Sequence, residues 1–417
     1  MLSRRLYAVG LLAATVTAQS VPSDVKIRES LTRARPAIIQ HLRHSTGDVL
    51  ALVCLAAVHD GVPEDEPHRR RAMRRLARTS LTGTYGAALR LLVLAADPTA
   101  FGDETLIDRD ERVARDVKAL MRNRVRGGFT YASGNDHWDL SNTQYAALGL
   151  RAAVSLGHLV PDSVWQDLAL AVLDGQSDDG GFGYTVRNRR KRPYSSMTVA
   201  GIAVLEICRQ HLPEEFNRTH EMERAIASAW RWMDLKGDDI GSRYTPSCLY
   251  FHYGLERAAV LSQRKLVGNR DWYRVGSGML LEMQDAKRGF WRSDWEFRPG
   301  ALEGPGSPVD TAFGILFLRR NFKRILPPNY PRMITLGPQS NAEEIASAAK
   351  HLVRRGPEVL PEVIKAMRSP VNAKRRAAAA ALRALTEKNF GYDPDLDPAE
   401  TGDAIKAAEL WWLRRKK

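Results

Sequence analysis

Gln176-Ser-Asp-Asp-Gly180-Gly-Phe182, Gln284-Asp-Ala-Lys-Arg-Gly289-Phe-Trp291 and Asn123-Arg-Val-Arg-Gly127-Gly-Phe129 are three versions of one junction. Each has a side-chain amide, a short polar spacer, a glycine and an aromatic ring. Glycine permits the chain to turn, the amide can cap exposed backbone, and the ring can pack on the unit that follows. Each junction sits where a helical pattern ends.

Working outward, two kinds of helical segment alternate. Pro67–Thr79, Asp108–Arg124, Asp162–Gln176, His220–Lys236 and Asn269–Gln284 are charged, with apolar residues at three- and four-residue spacing, as in Trp165, Leu168 and Val172. That spacing makes one buried stripe on a polar helix. A further segment of this kind covers Ile27–Arg43. Between them lie segments rich in Ala, Gly and Leu. These follow Ser141-Asn142-Thr143, Ser195-Ser196-Met197-Thr198, Thr245-Pro246-Ser247-Cys248 and Val309-Asp310-Thr311, with weaker copies near Asp48 and Thr84. Ser, Thr and Asp suit helix starts because their oxygens accept unpaired backbone N–H groups. A helix apolar all round must be enclosed, and a one-sided helix can enclose it. Six such pairs predict an all-α protein, an α6/α6 toroid of inner and outer helices, with a helical solenoid as the competing geometry.

The junctions resemble the Q-x-x-x-G-x-W repeats of the prenyltransferase/squalene-oxidase superfamily, over roughly residues 30–320. The resemblance implies a toroid like that of terpenoid cyclases and the prenyltransferase β subunit. It assigns Gln176, Gly180, Phe182, Gln284, Gly289 and Trp291 to the structural repeat. Squalene-hopene cyclases carry D-x-D-D-T-A, whose middle Asp protonates the substrate. Here the matching stretch is Ser307-Pro-Val-Asp310-Thr-Ala, with Val309 at the protonating position, which leaves Asp310 as the catalytic candidate beside its reading as an N-cap. Protein prenyltransferases hold zinc through Asp, D-x-C and a distant His; no D-x-C occurs. Cys248 and His252, four apart on one helix, would need a third ligand such as His137 or Asp139. A buried Cys and a hydrogen-bonded His is the preferred reading, and neither metal nor cofactor is expected.

The starts of the inner helices should share one cavity mouth. Asp136, His137, Asp139, Asn142, Tyr145, Tyr194, Ser195, Tyr250 and His252 are the candidate ligand-binding residues, with Trp295 after the last junction. Such aromatic, carboxylate and imidazole groups suit a lipid or isoprenoid, a peptide or a glycan. The leading reading is a toroid that binds a ligand without the family's acid or zinc site. The alternatives are an active terpenoid-cyclase-like or carbohydrate-active (α/α)6 enzyme, in which Asp139 with Asp310 or Asp136 with His137 would be the pair, and a protein-interaction scaffold of the cell envelope.

Of 417 residues, 62 are Lys or Arg and 48 Asp or Glu, a formal charge of +14 that favours anionic partners or a solvated basic surface. No nucleic-acid motif accompanies it, so no nucleic acid is expected. Three scattered cysteines make no disulfide framework. Pro327, Pro328, Pro331 and Gly337-Pro338 mark a linker over 327–340. The tail 341–417 has a pattern similar to one or two HEAT-type repeats in Asn341–Arg354, Glu358–Met367 and Asn372–Thr386. It should dock on the toroid, which occupies 19–326, and offers a surface for protein partners.

Ser3-Arg4-Arg5, the apolar stretch Leu6–Val16 and small residues up to Ala18 read as a signal peptide over 1–18, hence export to the periplasm or beyond. The stretch is too short for a membrane span, and none is expected in the mature chain. Amino-terminal sequencing of cell-envelope material should find a chain that begins near Gln19; intact Met1 on a soluble cytoplasmic form would refute this.

Overall fold

A computed structural model describes residues 22–101, 106–158, 160–185, 192–212, 216–293, 306–320, 336–338, 340–354 and 356–415. The proposed signal peptide, Trp295 and most of the 327–340 linker lie outside the described residues. The protein is predominantly helical, and no helix among the described residues is long and apolar enough to cross a membrane.

One-sided helices are α1 (Asp24–His44), α3 (Pro67–Arg78), α5 (Leu106–Arg122), α7 (Asp162–Asp174), α9 (Thr219–Asp234) and α11 (Trp272–Met283). They alternate with α2 (Gly47–Asp60), α4 (Thr84–Ala96), α6 (Leu140–Ser155), α8 (Ser195–His211), α10 (Cys248–Leu261) and α12 (Pro308–Arg319). The second set is buried almost all round, as Leu140 through Val154 of α6 illustrate. Each of these even-numbered helices packs on the next, from α2 to α12, and α12 packs on α2. Small residues allow the approach: at Gly149 of α6, an added Cβ would come within 2.7 Å of Ala88 Cα on α4.

The junctions fasten each one-sided helix to another. Gly127, Gly180 and Gly289 have φ of +84°, +90° and +74°, a region that favours glycine. Each also lies flush against foreign backbone. A Cβ would strike the Asp167 carbonyl of α7 at Gly127, Ser228 of α9 at Gly180, and the Arg33 carbonyl of α1 at Gly289. The amides complete the fastening. Gln176 Nε2 donates to the carbonyls of Gly180 and of Ala225 on α9, both at 2.8 Å. Gln284 Nε2 donates to the carbonyls of Gly289, at 2.8 Å, and of Ser30 on α1, at 2.9 Å. Ser30 Oγ donates back to Gln284 Oε1 at 2.7 Å. Asn123 is shorter by one methylene and its Nδ2 donates instead to the Thr82 carbonyl. This junction also forms a small hairpin of β1 (Arg124–Val125) and β2 (Gly128–Phe129) that the sequence reading did not foresee.

The aromatic rings are buried and clamped in one repeated manner. The backbone N–H groups of Phe129, Phe182 and Trp291 donate to Thr143 Oγ1, Thr198 Oγ1 and Thr311 Oγ1, near the starts of α6, α8 and α12. The Phe182 ring lies over Gly201 of α8 and the Trp291 ring over Gly314 of α12. Trp291 Nε1 donates to the Leu280 carbonyl of α11 at 2.8 Å, so this ring bridges α11 and α12.

Where the series meets its own beginning, Asp60 at the end of α2 is fully buried and takes two guanidinium groups. Arg35 of α1 donates to Oδ2 at 2.9 Å, and Arg319 of α12 to Oδ1 at 2.6 Å; both also donate to the Asp60 carbonyl.

The tail has a hydrophobic cluster of its own, separate from that of the first twelve helices. Its helices are α13 (Ala342–Arg354), α14 (Leu360–Ala366, after a 3-10 turn), α15 (Asn372–Thr386) and α16 (Gly402–Arg415). α15 packs on α13 and α14, and α16 on α14. Lys365 Nζ reaches across to the Gly157 carbonyl beyond α6, at 2.6 Å.

Trp291→Ala should destabilise the fold by about 3–5 kcal/mol in chemical denaturation. Gly289→Ala should destabilise it severely, whereas Gly134→Ala, with φ +96° but open space around it, should incur only the left-handed backbone penalty of about 1–2 kcal/mol. Equal losses at the two glycines would show that the flush contact with α1 contributes nothing.

Candidate functional site: a tyrosine-lined cavity at the helix starts

All six even-numbered helices begin at one cavity of about 510 Å³. α2 supplies Asp48, Val49 and Leu52; α4 supplies Tyr85 and Leu89; α6 supplies Ser141 and Tyr145. From α8 and its cap come Tyr194, Ser196 and Met197; from α10 and its cap, Ser247 and Tyr250; from α12, Val309 and Phe313. Tyr131 and Tyr184 complete the wall. Of the buried lining residues, Leu52, Leu89, Met197 and Phe313 are apolar and Tyr145, Ser141 and Ser196 carry hydroxyls, while Tyr131 is 53% and Tyr194 37% exposed. The cavity thus mixes hydrocarbon and hydroxyl groups on its buried wall and has phenols at its rim.

The tyrosines form a connected group. Ring centroids of Tyr85 and Tyr145 lie 4.6 Å apart, and Tyr145 stacks near-parallel with Tyr250 at 6.4 Å. A hydroxyl chain runs from Tyr85 through Ser141 to Tyr250, whose OH lies 3.1 Å from Ser141 Oγ and donates to Gln144 Oε1 at 3.0 Å. Across the mouth, the hydroxyls of Tyr131 and Tyr184 meet at 2.7 Å. Burial raises the pKa of Tyr145 and Tyr250 well above the usual 10, pushes Tyr194 up to about 12, and raises Tyr85 and Tyr184 as well. These phenols stay protonated and can both donate and accept. Asp48 is the one carboxylate in the lining, and burial raises its pKa too.

Of the candidates named from sequence, Tyr145, Tyr194 and Tyr250 line this cavity. The others have different places. Asp139 is the N-cap of α6: its Oδ1 accepts the Asn142 N–H at 2.9 Å and its Oδ2 the Asn142 side-chain amide at 2.8 Å, which leaves Asn142 Oδ1 buried without a partner among the described residues. Burial raises the Asp139 pKa. Asp136 is exposed in the preceding loop, with its Oδ2 3.1 Å from His137 Nε2. Ser195 donates to Asp239 rather than into the cavity. His252 lies deeper on α10 and is fully buried, with Nδ1 2.6 Å from the Cys248 carbonyl and Nε2 2.8 Å from the Ile240 carbonyl. Burial lowers its pKa. Asp310 is not the N-cap of α12. Ser307 is, accepting the Asp310 N–H, while Asp310 Oδ2 accepts the N–H of Ser293 at 2.7 Å and its hydroxyl at 3.0 Å. That anchors the strand of chain leaving Trp291. Among the described residues, no three His, Cys, Asp or Glu side chains gather as a metal set.

Tyr85, Tyr131, Tyr184 and Asp48 were missed as site residues. A signal for two of them was present: Tyr131 and Tyr184 each stand two residues after a junction aromatic, in Phe129-Thr-Tyr131 and Phe182-Gly-Tyr184. The reason is backbone geometry. The carbonyl of Tyr131 accepts the Thr84 N–H at the start of α4, and that of Tyr184 accepts the Leu140 N–H at the start of α6. The chain leaving each junction therefore crosses the start of the preceding inner helix and carries its tyrosine to the mouth.

The buried phenols make stability pH-dependent, with a definite sign. Below a pH of about 10 the phenols are neutral in both folded and unfolded chains, and their contribution is fully present; above it only the unfolded chain can ionise them freely, so stability falls as pH rises. Denaturation midpoints should decline above a pH of about 10, and the phenolate absorbance of the fully buried Tyr145 should appear only together with loss of helical circular dichroism. Tyr145→Phe should soften the decline. Phenolate absorbance from this ring in a fully helical chain would contradict the burial.

No protein-family model matches the chain, and no curated protein matches it.

Proposed function

We propose that residues 24–320 form an α/α toroid of the prenyltransferase and squalene-cyclase type, exported, which binds a ligand in the tyrosine-lined cavity and does not use the acid or zinc chemistry of those families. The observation that carries this reading is the cavity itself, because every even-numbered helix contributes to its lining. The packing of α12 on α2 favours the toroid over a solenoid, whose first and last repeats stay apart. Three facts weigh against the family chemistry. Val309, at the position of the cyclase protonating acid, lines the cavity as a hydrocarbon side chain. Asp310 beside it is engaged by Ser293. The donor set for zinc does not fit, since both ring nitrogens of His252 face backbone carbonyls and Cys248 sits buried one turn before it. With both ring nitrogens turned to carbonyls, neither is directed at a metal.

Hydrogen–deuterium exchange on the full chain checks the reading, with a C15 isoprenoid alcohol, a neutral tetrapeptide and neutral tetrasaccharides as probes. At least one probe should protect the first turns of α2, α4, α6, α8, α10 and α12 together, and Val309→Trp, which fills the cavity, should remove the protection without lowering the melting temperature. Protection elsewhere, or none with any probe, would sink the proposal.

A further inference from the structure

We infer that the ligand of this cavity is a neutral saccharide, an inference that rests on the ligand-binding reading above and narrows it to one chemical class. Charge makes the first cut. Among the described residues, no Lys or Arg lines the cavity. A diphosphate, sulfate or uronate would find no cationic side chain there to replace the water it loses. A cation fares no better. Six helix N-termini face the site, each with a partial positive charge, against two carboxylates, Asp48 in the lining and Asp139, which bonds to Tyr184. A neutral ligand is left.

Hydroxyl groups make the second cut. Nine lining side chains are Tyr or Ser. Five of them bond within the protein, yet each hydroxyl can both donate and accept, and a hydrocarbon seated on them would leave the remaining capacity unmet. A sugar ring satisfies both demands of this lining. Its hydroxyl edge can exchange hydrogen bonds with rim phenols such as Tyr131, Tyr184 and Tyr194, and its C–H face can lie on the rings of Tyr85, Tyr145 or Phe313. The volume of about 510 Å³ is ordinary for a small-molecule site. A peptide is the remaining neutral class. Peptides are commonly held by main-chain pairing to a sheet edge, and no residue of a strand contributes to this lining.

Isothermal titration of the full chain tests this with neutral hexose, pentose and N-acetylhexosamine tetrasaccharides, alongside farnesol and tetra-alanine amide. We expect at least one tetrasaccharide to bind, with little change in Kd between about 0.05 and 0.5 M NaCl. Tyr131→Ala and Tyr194→Ala remove exposed rim rings, so they should leave the fold intact and weaken binding by about tenfold or more. Tyr244→Ala, exposed and outside the cavity, should not. Binding of farnesol or the peptide, sensitive to Tyr131→Ala, with no saccharide bound would overturn the saccharide and leave the cavity as a ligand site. Saccharide binding indifferent to both rim variants would place the sugar elsewhere and overturn the inference. Binding by no probe of any class would remove the ligand-binding reading with it.

Discussion

An apolar helix has no bare side only if neighbours cover both flanks, and for α2 and α12 part of that cover is each other. Much of the rest depends on this meeting. It joins segments some 260 residues apart, so it must repay a large loop-closure entropy, which grows slowly with length but is never zero. The contact is accordingly reinforced by several kinds of bond. Asp60 takes the guanidinium groups of Arg35 and Arg319, and its carbonyl takes their second N–H groups. On the outer side Gln284 ties the end of α11 to Ser30 of α1, and Gly289 lies against the Arg33 backbone. A buried carboxylate shared by two arginines is weak evidence of net stabilisation, since desolvation offsets much of the attraction. Its value here is specificity. A register slip of α12 along α2 would take Arg319 away and leave the buried carboxylate to Arg35 alone.

The repeated junction explains how one motif can build the body and the site together. Its glycine turns the chain against another one-sided helix, and in two of the three its aromatic ring lies over a glycine of the next even-numbered helix. A threonine near the start of that helix fixes the ring's backbone. Two residues on, in the first two junctions, the chain crosses the start of the preceding even-numbered helix and delivers a side chain to the mouth. That side chain is tyrosine, while at the same offset in the third junction stands Ser293, which turns instead to Asp310. The cavity's character follows from which residue occupies this offset.

Of the candidates that line the cavity, Tyr145 and Tyr250 lie in the first two turns of α6 and α10, and Tyr194 stands at the N-cap position of α8 without a side-chain cap bond. The polar candidates went the other way. Asp139, Asn142, Ser195 and Asp310 are the residue types that most readily satisfy nearby backbone and side-chain groups, and each does so. Aromatic rings cannot cap a helix, so those at the same positions remain available to line the space.

Helix type and boundary were legible from the sequence, since a 3.6-residue period, a cap and a glycine stop act over a few residues. The two cores of the chain and the burial of Phe129, Phe182 and Trp291 belong to the same local logic. Which side chains share the cavity was decided only by tertiary structure. The Tyr85–Ser141 and Tyr250–Gln144 hydrogen bonds span 56 and 106 residues, and the Arg319–Asp60 clamp spans 259. At such separations neither period nor spacing constrains a pair. The approach of the helices, set by small residues such as Gly149, determines which hydroxyls come within reach.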